Sequence, residues 1–192
     1  MVFPRLHVLT DSLDVVRAVA GQGPVAIQIR VKSSDRLAYE LTLAALPLCR
    51  ATGSLCLVDD RIGVALAAGA DGVHVGADDL PVAAARRVLG PSAIVGATCR
   101  SPSSAREAVR DGASYLGVGP VFATATKDGL PPPLGPDGVA AVAAAVSGTP
   151  VIAIGGITPA RAAGLGTYGV AAISAIAADP ARVAAEFLKA LR

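Results

Sequence analysis

Short runs of apolar, β-branched-rich residues alternate along this chain with alanine-rich stretches whose hydrophobic positions recur at helical spacing. Each apolar run ends in a polar or glycine-containing patch. Eight runs are predicted as strands: 6–9 before TD, 25–29 before RVK, 55–58 before DDR, 72–75 before GADD, 94–97 before TCRS, 115–118 before GP, 151–154 before GGI and 170–173 before SAI. The stretches between them predict helices over 13–20, 36–50, 62–68, 81–88, 103–110, 137–146, 159–164 and 180–191. The runs are continuously apolar, which implies strands buried on both faces, as in a parallel sheet covered by helices. Eight βα units point to a closed (β/α)8 barrel of the TIM type. With 192 residues the chain sits near the lower limit of about 200 for that architecture, so its loops must be short. An open doubly wound sheet is the competing arrangement, but it needs a topological switch point that the sequence does not display. No linker or low-complexity tract interrupts the pattern. One domain over 1–192 is expected, with Pro131-Pro132-Pro133 as a loop insert.

Composition narrows the function classes. The chain is 53% hydrophobic and only 17% charged, which supplies ample core for one domain and excludes disorder. A formal net charge of +2 without a Lys/Arg cluster gives no electrostatic footprint for nucleic acid or a membrane surface, so small-molecule partners are expected. Cys49, Cys56 and Cys99 are odd in number and lack metal-type spacing, which suits reduced, packed thiols. The segment MVFPRLHVLTD shows neither a signal peptide nor a membrane span, and the expected location is the cytoplasm.

A barrel gathers the patches that follow its strands at one end, where enzymes of this fold build their sites. The pocket would then contain Arg30 and Lys32 after strand two, Asp59 and Asp60 after strand three and Asp79 after strand four. It would also hold Thr98 and Arg100, then Thr124, Thr126 and Lys127 of the stretch VFATATKDG, then Gly155, Gly156 and Ser174. Cations, carboxylates, hydroxyls and glycines in one place suit phosphates bridged by a metal. Magnesium takes one or two carboxylates and completes its shell with water or phosphate oxygens, so Asp60 and Asp79 suffice. Arg30, Lys32 and Lys127 would neutralise the remaining phosphate oxygens. The glycine pair and Ser174 lie where barrels often bind a monophosphate, after strands seven and eight. Two phosphate-bearing substrates are implied.

Several ordered motifs resemble the thiamine phosphate synthase family and its paralogue, the thiazole tautomerase. QIRVK at 28–32 is similar to Q-x-R-x-K, and VDDR with ALAAGADGVHVGADDLP is similar to NDR…ALA-x-GADGVHLGQ-x-DLP. YLGVGPVFATATK at 115–127 is similar to YIGVGPVF-x-T-x-TK, and VIAIGGI and VAAISAI complete a resemblance that covers nearly the whole chain. It implies the joining of a pyrimidine diphosphate to a thiazole phosphate, with release of pyrophosphate. Carried over by position, Gln28, Arg30, Lys32, Asp59, Thr98 and Lys127 would hold the pyrimidine diphosphate, with Asp60 and Asp79 on magnesium. Thr124, Ala125, Thr126, Gly155, Gly156, Ile173 and Ser174 would hold the thiazole phosphate. Arg30, Lys32, Thr98 and Lys127 would carry the catalytic step by stabilising the departing pyrophosphate.

The chain departs from that pattern in places. Asp59 stands for Asn in NDR, Ala77 for Gln, and Thr98-Cys99-Arg100 for Ser-x-His. A third carboxylate near a diphosphate needs compensation, and Arg100 or Arg61 is the expected partner of Asp59. Arg100 is also a poor general base, which weighs against a tautomerase. A binder of thiamine-related phosphates without turnover is the further alternative. Other residues have plain structural readings: His74 and His7 as core or pocket-lining hydrogen-bonding groups, Asp11 as a helix N-cap, and Asp71 as a turn former. Gly69, Gly112 and Gly129 are expected at turns or helix ends, and Arg61 in a solvated first turn. KDGLPPPLG is expected as a lid, and barrels of this size often pair as homo-oligomers.

Overall fold

The computed structural model describes residues 2–124, 126 and 129–192. The elements alternate as β1 (Leu6–Thr10), α1 (Leu13–Ala20), β2 (Ala26–Ile29), α2 (Asp35–Thr52), β3 (Leu55–Asp59), α3 (Ile62–Ala68), β4 (Gly72–Val75) and α4 (Val82–Leu89). They continue through β5 (Ile94–Cys99), α5 (Pro102–Arg110), β6 (Tyr115–Val118), α6 (Gly135–Ala144), β7 (Val151–Ile154) and α7 (Pro159–Ala162), then β8 (Gly169–Ala172), α8 (Ser174–Ala177) and α9 (Pro180–Ala190). All eight strands pair in parallel and in chain order, and β8 closes on β1. The closed TIM-type barrel is therefore observed, and the open doubly wound sheet is not. The short helix α8 was not expected, because its four residues are too few to show a period.

Strand register decides which residues face the barrel lumen. Leu9 pairs with Gln28 and Gln28 with Leu57, while Asp59 pairs with His74 and Thr98 with Gly117. Laterally paired residues of parallel strands point to the same face. The lumen is packed by Leu9, Ala26, Leu55, Leu57, Tyr115, Ile152 and Ala171. The intervening positions, such as Val8, Ile27 and Val58, face outward into the larger core beneath the helices. Phe3 lies against His7 and Tyr115, with ring centroids 5.4 Å from each, in the lower part of the lumen.

Local ties follow the chemistry of individual residues. Ser12, not Asp11, caps α1, accepting from the Val15 amide; Asp11 stands one position too early to reach that turn. Asp71 does more than form a turn, because its carboxylate accepts from the Cys56 amide at 2.7 Å and so joins β4 to β3. Arg61 is no solvated first-turn residue: it pairs with Asp35 and donates to the carbonyls of Val31 and Lys32. Glycine at position 96 has a steric cause, since a Cβ there would fall 2.2 Å from the Tyr115 ring and 2.5 Å from His74 Nδ1. The absence of that side chain lets Tyr115 and His74 meet inside the barrel.

Candidate active site

A cavity of about 290 Å³ opens at the carboxyl ends of the strands. Its wall unites Gln28, Arg30, Lys32, Asp59, Asp60, Asp79, Thr98, Thr124, Thr126, Gly155, Gly156, Ile173 and Ser174. Lys127 and Ala125 lie outside the described residues. A second, adjoining lobe shares Leu9, Arg30, Thr126, Ile173 and Ser174 with this wall and extends past Thr10, Asp11 and Ser12.

The DDR sequence after β3 brings two consecutive carboxylates to one pocket. An extended strand would send Asp60 to the face opposite Asp59. Instead the Arg61 amide donates to the Asp59 carbonyl at 2.7 Å and Asp60 takes φ +62°, the arrangement of a γ-turn. Aspartate tolerates this left-handed conformation better than most residues. The turn swings Asp60 back to the rim, where Lys32 Nζ bridges it to Asp59, the latter at 2.5 Å.

Asp59 is buried, accepts from Gln28 Nε2 and Lys32 Nζ, and has Arg30 Nε at 3.7 Å. The expected pairing with Arg100 or Arg61 is therefore incorrect. Arg61 is committed to Asp35, and Arg100 donates to the carbonyls of Gly119 and Pro132 at 2.7 and 2.8 Å. Residues of the same site, Lys32 first, supply the compensation. Burial raises the Asp59 carboxyl above its usual range despite Lys32; at Asp60 burial acts in the same sense, but hydrogen bonding and charge, chiefly from Lys32, outweigh it and lower the carboxyl. Burial also works against the charge of Lys32, and the two aspartates overcome it and raise the ammonium.

A Cβ on Gly76 would lie 2.8 Å from Asp79 Oδ2 and 3.9 Å from Asp60 Oδ1, so the two carboxylates flank that glycine, and Asp79 also accepts from the Gly76 amide at 2.7 Å. Burial raises the Asp79 carboxyl, and the Asp60 charge adds to the shift. Among the described residues no group of three His, Cys, Asp or Glu gathers to hold an ion by protein ligands alone. Two neighbouring carboxylates on the wall of this cavity fit magnesium, which keeps water and phosphate oxygens in its shell.

The inner end of the cavity is formed by residues that sequence reasoning left outside the binding set. His7, His74, Tyr115, Ile152 and Ala171 line it. His74 Nδ1 meets the Tyr115 hydroxyl at 2.9 Å, and Nε2 meets Thr98 Oγ1 at 3.0 Å. Desolvation lowers His74 to about 4 and His7 to about 3, so both imidazoles are neutral at physiological pH. A pH–rate profile should consequently show no histidine limb between about pH 5 and 8. Thermal stability should fall as the pH drops below about 6.5, because unfolded imidazoles then bind protons that the folded ones refuse. Calorimetric scans from pH 4 to 8 would reveal this; equal stability at pH 5 and 7 would contradict it.

On the thiazole side of the expected site, Thr124 Oγ1 and Thr126 Oγ1 lie 2.9 Å apart, and Thr126 Oγ1 is 3.3 Å from Ser174 Oγ. Gly156 has φ +64°, and a Cβ there would come 2.8 Å from the Ala123 carbonyl oxygen. The loop after β7 thus packs directly on the loop after β6.

A closed parallel barrel with a charged cavity at its carboxyl ends has the architecture of a TIM-barrel enzyme. Comparison with known proteins narrows the class. The family model for thiamine monophosphate synthase matches residues 2–178. Thiamine-phosphate synthases of Salinispora arenicola and Salinispora tropica are 55% and 52% identical, each aligned over 97% of both chains. The solved thiamine phosphate pyrophosphorylase from Pyrococcus furiosus superimposes with a TM-score of 0.85 at 34% identity, covering 97% of this chain and 95% of that one. The chain belongs to the thiamine monophosphate synthase family. No helix among the described residues is long and apolar enough to cross a membrane.

Proposed function

We propose that the chain is a thiamine-phosphate synthase, acting as one catalytic domain over 1–192 on two small-molecule substrates. It would join the methylene carbon of a hydroxymethylpyrimidine diphosphate to the ring nitrogen of a thiazole phosphate. The methylene C–O bond breaks, its electron pair leaves with pyrophosphate, and the thiazole nitrogen lone pair forms the new C–N bond. The observation that carries this reading is the pairing, in one cavity, of a cationic side built on Arg30 and Lys32 with a hydroxyl and glycine side built on Thr124, Thr126, Gly156 and Ser174. One side suits a diphosphate and the other a monophosphate. Sequence resemblance adds Lys127 to the diphosphate side.

The division of labour follows from position. Arg30 and Lys32 would stabilise charge developing on the leaving group, an electrostatic role that needs no proton transfer. Thr98, fixed by His74, would orient the pyrimidine diphosphate, together with Gln28 and Asp59. Thr124, Thr126, Gly155, Gly156, Ile173 and Ser174 would seat the thiazole phosphate. Asp60 and Asp79 would hold magnesium, which supplies charge neutralisation to the diphosphate when bound. The tautomerase alternative finds little support, because Arg100 lies off the cavity wall with both terminal nitrogens given to carbonyls. Reduced, buried thiols are in keeping with the cytoplasm. Exposed Leu37 and Leu43 on α2 and Leu66 on the adjoining α3 are in keeping with self-association.

The test is pyrophosphate release with both substrates and magnesium. Release that requires both substrates is expected. Binding of thiazole phosphate without release would point to the non-catalytic alternative, and isomerisation of the thiazole to the tautomerase.

A further inference from the structure

Between β6 and α6, Thr124, Thr126 and Leu130 lie on the cavity wall. Ahead of α6 runs a limb, Pro131-Pro132-Pro133, which is exposed and belongs to no helix or strand. Three consecutive prolines have no backbone N–H, so this limb makes no backbone donation of its own. Its own hydrogen bonds can be made only through its carbonyls, to a donor from elsewhere. Arg100, at the carboxyl end of β5, is such a donor: one terminal nitrogen reaches the Pro132 carbonyl at 2.8 Å and the other the Gly119 carbonyl at 2.7 Å. The planar guanidinium bridges two acceptors at fixed separation, which a lysine cannot reproduce.

The two anchors differ in rigidity. Gly119 belongs to the barrel rim, where a Cβ would lie 2.0 Å from the Ile154 carbonyl oxygen, so backbone packs on backbone. The next residues along are tied to the same rim, Val121 N to the Ile154 carbonyl at 2.9 Å and Phe122 N to the Gly155 carbonyl at 3.0 Å. The limb is fastened just beyond the prolines, by Leu134 N to the Pro120 carbonyl at 2.8 Å and Gly135 N to the Val121 carbonyl at 3.1 Å. Arg100 supplies a side-chain link from β5 to the proline limb itself.

We propose that Arg100 is a positioning residue: it latches the proline limb to the barrel rim and thereby sets the Thr124 and Thr126 wall against Ser174. The assignment of that wall to the thiazole phosphate rests on the proposed synthase reading. Arg100 is not among the described residues that line the cavity, so its effect on the Thr124 and Thr126 wall is indirect.

Arg100→Met and Arg100→Lys separate the latch from general stability. In the Met variant, hydrogen exchange at the Leu134 and Gly135 amides should speed up by about tenfold, with amides of β1 to β4 unchanged. KM for the thiazole phosphate should rise about tenfold while KM for the pyrimidine diphosphate stays within about twofold. Arg100→Lys, with one donor centre in place of two, should fall between the wild type and Arg100→Met in both readouts. Unchanged exchange in the Met variant would overturn the latch. Faster exchange with neither KM moved would reduce Arg100 to a structural tie and overturn the positioning role. If the wild type itself released no pyrophosphate, the synthase reading would fail. The latch would then still be decided by exchange, together with the dissociation constant of thiazole phosphate measured calorimetrically in both variants.

Discussion

Lys32→Met is expected to lower kcat/KM by about a hundred- to a thousandfold, the usual consequence of removing a preorganised charge from a developing anion. Its ammonium stands between Asp59 and Asp60, so the same change also leaves a buried carboxylate short of a partner. Breaking a fully buried pair costs about 3–5 kcal/mol, but the Lys32 side chain is 48% exposed and Arg30 remains 3.7 Å from Asp59. Solvent screening reduces the expected loss to about 1 kcal/mol, or roughly 2–4 °C in the melting midpoint. The two effects have different origins and should separate in a double variant. Asp59→Asn added to Lys32→Met removes the orphaned charge, so the melting midpoint should recover while pyrophosphate release stays low. Acid should have a similar effect: the Asp59 carboxyl is already raised by burial, and its protonation narrows the stability gap between Lys32→Met and wild type as the pH falls. A double variant no more stable than Lys32→Met would show that Asp59 and Lys32 are not coupled in this way.

The same pair of residues illustrates how far the sequence could be read. Continuous apolar runs ending in polar patches were enough to give the barrel and to say which loops meet, because both features survive without knowledge of side-chain direction. The direction itself was hidden. Val8 and Leu9, or Ile27 and Gln28, are buried alike on opposite faces of one strand, so no alternation marks the lumen. Tyr115 is consequently absent from the candidate set, and His7 is legible only as a core or pocket-lining group, although both line the inner end of the cavity. The partner of Asp59 differs from the expected one for a related reason. Arg100 and Asp59 leave strands of the same barrel end, but reach is decided by where the long side chain is drawn. The donor-free proline limb takes Arg100, and Lys32 is nearer to Asp59. The γ-turn at Asp60 could not be foreseen from DDR alone, yet it turns two adjacent carboxylates into one site.

Chelation of divalent ions is expected to abolish pyrophosphate release and readdition of magnesium to restore it. Asp79→Asn should raise the magnesium concentration needed for half activity by about ten- to a hundredfold, since the ion would lose one of the two carboxylates proposed to hold it. If this pair holds the ion as proposed, protons and magnesium would compete for it. The raised Asp79 carboxyl takes the proton as the pH falls, so magnesium affinity should be highest above that ionisation and weaken on the acid side. In Asp79→Asn the competing group is gone, and the magnesium requirement should depend less on pH even though it is larger at every pH. Titration of magnesium by calorimetry, in parallel with activity, keeps binding distinct from turnover. A variant whose calorimetric affinity matched wild type, with turnover still lost, would place Asp79 on the substrate rather than the ion. Unequal pH slopes with the steeper in wild type would instead tie the neighbouring carboxylates, one lowered and one raised, to a single cation that each holds only in part.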